Sequence, residues 1–74
     1  MTLQEKIRIL MVRRGNMSES ELARRLGVFP QNLGRKMKLG RLSNAELERI
    51  AEVLGCSVTH TETIFTMLDT QERI

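Results

Sequence analysis

Gln31, Asn32 and Arg35 lie close together in the chain and carry side chains suited to reading the edge of a base pair. Gln and Asn match adenine N6 and N7 with two hydrogen bonds, and Arg matches guanine O6 and N7 in the same way. Lys36 and Lys38 follow, so the run from Gln31 to Lys38 holds amides and cations and no carboxylate. The plain alternative for such a run is a solvated polar helix face. Other chemistry is thinly provided. There are no paired carboxylates, no Ser/His/Asp or Cys/His set with a third member, and no Gly-rich loop that would cradle phosphate, so the expectation is not an enzyme. Cys56 and His60 are single members of their kinds. Together they cannot make a four-ligand zinc site, and neither a metal nor another cofactor is expected. Cys56, after Gly55, reads as a small packed residue, and His60 as a residue on a strand face.

To present Gln31 to Lys38 on one side, the chain needs a helix and something to hold it. Ser18 and Glu21 have the spacing of a reciprocal cap, which starts a helix at Ser18. Leu22, Ala23 and Leu26 give that helix a buried stripe, and Gly27 suits the left-handed turn that ends it. Pro30 fits the first turn of the next helix, running to about Lys38, with Leu33 and Met37 facing inward. Gly34 inside it costs roughly 1 kcal/mol relative to Ala. Either something approaches the helix closely there, or the residue is simply tolerated.

Upstream, Thr2 and Glu5 repeat the capping spacing and predict a helix from Thr2 to Gly15, burying Leu3, Ile7, Leu10 and Met11. Ile9 and Val12 add a second apolar strip that this bundle does not need. Downstream, Ser43 and Glu46 cap a fourth helix to Leu54, burying Leu47, Ile50, Ala51 and Leu54, with Glu46, Glu48 and Glu52 making an acidic outer face. From Ser57 the β-branched and aromatic residues predict a strand to Met67. Asp69 to Gln71 can turn the chain so that Glu72 to Ile74 return.

The 74 residues make one domain near the lower size at which a core alone sustains folding. No apolar run approaches the ~20 residues that cross a bilayer. With no signal-peptide pattern and a lone cysteine, the expected location is the cytoplasm. Net charge is only +3, but residues 1–41 hold ten Lys or Arg against three Glu, whereas residues 42–74 hold two Arg against six acids. A cationic half coinciding with the paired helices is the footprint expected of a phosphate-backbone binder.

Leu22, Ala23, Gly27, Val28 and Leu33, flanked by capped helices, resemble the helix-turn-helix of Cro/repressor-class transcription regulators, over roughly Thr2 to Gly55. The resemblance implies a mainly α fold: a four-helix, lambda-repressor-like domain over residues 1–55, with a C-terminal β-strand or short hairpin over residues 56–74. It implies sequence-specific binding of double-stranded DNA by a small regulator, a repressor, with the helix of residues 30–38 in the major groove. Gln31 and Arg35, with Asn32 beside them, would touch bases. Ser18, Lys36, Lys38, Arg41 and Asn44 would touch phosphate, setting register. Two positions depart from the family pattern. Glu19 stands where a phosphate-touching Gln is usual, so that its carboxylate would be repelled, and Phe29 stands where Ser or Thr would cap, its ring left either to stack on the first helix or to touch a thymine methyl. These departures support a rival reading, a protein-interaction module of antitoxin or adaptor type. For the tail, an unpaired strand edge and the strip of Ile9 and Val12 suggest a homodimer joined near Ile64, Phe65 and Met67, reading an inverted repeat, the alternative being a monomer whose hairpin closes on itself. No membrane partner or small-molecule ligand is expected.

Overall fold

The computed structural model describes residues 1–74 and contains, in order, α1 (Leu3–Arg13), α2 (Glu19–Leu26), α3 (Pro30–Leu39), α4 (Asn44–Val53), β1 (Cys56–Thr59) and β2 (Ile64–Met67). Two helix starts are closed capping boxes. Thr2 Oγ1 accepts from the Glu5 N–H at 3.2 Å while Glu5 accepts from the Thr2 N–H at 3.0 Å, and Ser43 with Glu46 does the same at 3.1 and 3.0 Å. The third is only half made. Ser18 Oγ accepts from the Glu21 N–H at 3.1 Å, but the Glu21 carboxylate does not return to Ser18. It is held instead by Arg24 and Arg25 on the next turn, at 2.5 and 2.8 Å, which corrects the reciprocal cap expected there. Two charge-assisted bonds outcompete one neutral backbone donor.

Gly27 closes α2 in the left-handed region at φ +73, and Pro30 opens α3 as expected. Between them the turn is short enough for Leu22, Ala23, Leu26, Leu33 and Met37 to share one core with Ile7, Leu10 and Met11 of α1 and Leu47, Ile50 and Ala51 of α4. Fifteen residues are buried, all of them apolar. Of the second strip on α1, Ile9 is half-buried and Val12 is exposed.

Of the strand or short hairpin expected at the C-terminus, the segment forms the hairpin, but its turn breaks the run from Ser57 to Met67 that was expected as one strand. It is an antiparallel hairpin, registered Cys56 to Met67 and Thr59 to Ile64. Thr63 takes a positive φ of 50 in the turn, and His60 sits in that turn rather than on a strand face. The return after Asp69 does form. Gln71 supplies the left-handed backbone at φ 64, and Phe65 exchanges both backbone hydrogen bonds with Ile74, at 3.0 and 2.8 Å. β2 is thus flanked on both edges by its own chain. Phe65 and Met67, with Cys56, enter the main core.

Arg14 fastens this segment to the helices. Its Nε donates to the Leu54 carbonyl at 2.7 Å and its two terminal nitrogens reach the Asp69 carboxylate at 2.8 and 3.0 Å. One side chain therefore joins the end of α1, the end of α4 and the tail. Arg13 pairs with Glu72, and Lys6 Nζ donates to the Thr63 carbonyl at 2.8 Å.

Candidate nucleic-acid interface

α3 buries Leu33 and Met37 and leaves Gln31, Asn32, Arg35, Lys36 and Lys38 exposed. Ser18, Arg41 and Asn44, from the start of α2, the loop after α3 and the start of α4, are exposed as well. Helical spacing explains the α3 set: with Leu33 and Met37 pinned four apart, its polar positions are turned away from the core.

Exposure does not make these cations equivalent. Of the ten Lys and Arg in residues 1–41, six are ion-paired: Arg8 with Glu19, Arg13 with Glu72, Arg14 with Asp69, Arg24 and Arg25 with Glu21, and Lys36 with Glu46. Lys6 is used by the Thr63 carbonyl. The three that donate to nothing are Arg35, Lys38 and Arg41. All three lie on α3 or just after it, so the unneutralised charge is concentrated at one end of the cationic half.

Lys36 behaves differently from the others assigned to phosphate. Its Nζ lies 2.6 Å from Glu46 Oε2, across from α3 to α4. Lys36 and the Ser43 backbone hold the Glu46 carboxyl down at about 2. Glu21 is held down to about 2 by Arg24 and then Arg25, and Asp69 to about 2 by Arg14. None of these pairings was visible in local spacing except the Glu21 set, which is separated by three and four residues.

Glu19, which raised the prospect of repulsion from phosphate, is half-buried. Arg8 lies 3.5 Å from its Oε1, and its Oε2 would stand 3.5 Å from a Cβ placed on Gly34. Its charge is partly compensated and lies against α3 rather than out in solvent. The Gly34 question also acquires an answer within the chain: 3.5 Å is ordinary contact, so nothing in the protein itself excludes alanine there.

Phe29 is the N-cap residue of α3, gives no side-chain cap, and is 73% exposed, so its ring is not part of the core. Beside α3, a groove of about 150 Å³ lies over Leu26, Val28, Leu33, Leu42 and Ile50, with Asn32, Lys36, Glu46 and Arg49 at its rim.

Of the residues assigned to a dimer joint, Ile64 is half-buried, whereas Phe65 and Met67 are enclosed in the protomer's own core. Cys56 is buried, and burial pushes its thiol up, as befits a packed group and not a reactive thiolate. His60 Nε2 lies 2.6 Å from Glu48 Oε1 on the acidic face of α4. No three His, Cys, Asp or Glu residues come together in a way that could hold a metal ion, and no helix is long and apolar enough to cross a membrane.

Four helices with a tight α2–α3 turn, and a carboxylate-free α3 bearing free cations, define a helix-turn-helix domain. The sequence matches the family model of the Cro/C1-type HTH DNA-binding domain over residues 6–59, and the chain belongs to that family. The match runs from α1 through β1, leaving β2 and the tail beyond it. No curated protein and no solved structure gives a significant match.

Proposed function

We propose that this chain is a sequence-specific transcriptional repressor that lays α3 in the major groove and binds an inverted repeat as a homodimer. The observation that carries the reading is the set of free cations: Arg35, Lys38 and Arg41 have no partner in their own chain and lie together at α3. In this docking Gln31 and Arg35 read base edges, with Asn32 beside them, while Ser18, Lys38, Arg41 and Asn44 bind phosphates. Lys36 joins them only by leaving Glu46.

A ten-residue α3 spans few base pairs, so two copies with half-sites centred roughly 34 Å apart supply the discrimination that one cannot. The joint cannot use Phe65 or Met67 without opening the core, and the far edge of β2 is already taken by the tail. Ile64 and the outer edge of β1 are what the hairpin offers a second copy.

The rival, a protein-interaction module, draws on the apolar groove between α3 and α4. Selection of bound sequences from random duplex DNA decides between them. The repressor reading requires an enriched motif with two-fold symmetry, and affinity falling steeply between ~50 and ~200 mM salt. Retention that ignores salt, with no enriched motif, would leave the interaction module. Mass measurement in solution tests the joint: Ile64→Glu should shift dimer to monomer, and a wild-type chain already monomeric at tens of micromolar rules the dimer out.

A further inference from the structure

The site Phe29 occupies is one where a polar cap would stabilise the helix and a packed aromatic would stabilise the core, and it does neither. Its backbone is extended, at φ −75 and ψ 138, and no side chain caps the first turn of α3. Its ring is 73% exposed, and only Met1 among the large apolar residues is more exposed. Pro30, Gln31 and Asn32 beside it are all exposed, and the first turn of α3 holds no acid. The ring therefore stands at the leading end of the helix, next to the amides, where recognition helices approach base edges.

Inside a duplex the bases are stacked on one another, so an aromatic ring arriving from the major groove finds no free base face. The apolar wedges that unstack bases enter from the minor groove. What the major groove does offer an apolar side chain is a methyl group on C5 of a pyrimidine. We propose that Phe29 reads such a C5-methyl group, adding an apolar contact to the hydrogen bonds of Gln31 and Arg35. The proposal rests on α3 docking in the major groove. The methyl has two sources, thymine and 5-methylcytosine, and the contact would respond to either when it is held at the same depth in the groove.

The test uses operator duplexes obtained by selection, with each pyrimidine position varied in two pairs: thymine against uracil, and 5-methylcytosine against cytosine. Each pair differs by the methyl alone. The wild-type chain should prefer the methylated member at one position per half-site by roughly fourfold, the factor expected for burying one methyl group. A preference in the thymine pair only assigns the contact to thymine, and a preference in both pairs supports recognition of the methyl in either base. Phe29→Ser is the informative variant, because serine restores the missing cap and should raise the melting temperature while abolishing the methyl preference. Lost discrimination in a more stable protein cannot be blamed on unfolding. A wild-type chain indifferent to the methyl at every position, or a Phe29→Ser chain that keeps the preference, overturns the proposal while leaving DNA binding standing. Failure to enrich any sequence overturns both.

Discussion

The two ends of the molecule use arginine and lysine in opposite ways. Where α1 meets the C-terminal segment, Arg13 and Arg14 are held by Glu72 and Asp69, acids 59 and 55 residues away in the chain. At α3, Arg35, Lys38 and Arg41 meet no carboxylate at all. In the sequence both ends look alike, as runs of basic residues on or beside a helix. The lesson is that counting charge overstates the footprint: a cation facing its own chain's carboxylate has little to offer a phosphate until that pairing breaks. The free charge is narrower than the basic half and coincides with α3.

The largest effect is expected at the structural end. Phe65→Ala empties a fully buried site in the hairpin and should cost about 3–5 kcal/mol, enough to unfold much of so small a domain. A chemical denaturation series measures this. A loss under about 1 kcal/mol would mean that the segment beyond the family match is an appendage and not part of the core.

At the other end, Arg35→Ala should weaken specific binding by about 1–3 kcal/mol and leave binding to random DNA nearly unchanged, whereas Arg13→Ala should leave both alone. Titrations on a selected operator and on a scrambled duplex distinguish these outcomes. Equal losses on both duplexes would move Arg35 from base to phosphate.

Smaller and more general effects should follow at the phosphate positions. Lys38→Ala and Arg41→Ala should each flatten the slope of log affinity against log salt by about one unit. Lys36→Ala, removing a charge already shared with Glu46, should flatten it less. If Lys36 matches the other two, its ion pair opens on binding and the division between held and free cations fails at that residue.

Gly34→Ala sharpens the contrast between stability and binding at a single atom. A Cβ there meets Glu19 Oε2 at an ordinary 3.5 Å, so the variant should gain up to ~1 kcal/mol of stability from helix propensity. If DNA approaches the helix closely at that point, affinity should fall as the melting temperature rises. Unchanged affinity would show that the glycine is merely tolerated.

The gentlest probe is acid. Asp69 and Glu46 are held down to about 2 by Arg14 and by Lys36 respectively. A carboxylate depressed in the folded state contributes stability that is fully present above its unfolded pKa, near 4, and is lost as pH falls toward the folded value. The melting temperature should accordingly decline between about pH 4 and 2, and Asp69→Asn should reduce the decline by removing the tail's share. An unaltered profile in that variant would mean that the Arg14 pair is not maintained in solution.

Most of the helical frame was legible because its signals are local. Thr2 with Glu5 and Ser43 with Glu46 meet within one turn, Gly27 and Pro30 bracket the α2–α3 turn, and the buried stripes recur at helical spacing. Even there, competition misled at Ser18: the capping spacing was present, but Arg24 and Arg25 made stronger claims on Glu21. In the candidate site, the residue types on α3 were readable, while their availability was not.

The amino-acid sequence by itself determined four helices, the placement of Gln31, Asn32, Arg35, Lys36 and Lys38 away from the core, and the cationic character of that half. Each of these follows from contacts within a few residues along the chain. Tertiary structure alone decided where the C-terminal run turns back on itself and that the hairpin is flanked by its own tail, that Phe65 and Met67 serve the protomer's core, and that Phe29 stands in solvent. It also decided which cations remain free. The partners that settle those questions lie tens of residues apart, as with Arg14 and Asp69 or Phe65 and Ile74, and only folding brings their atoms within reach.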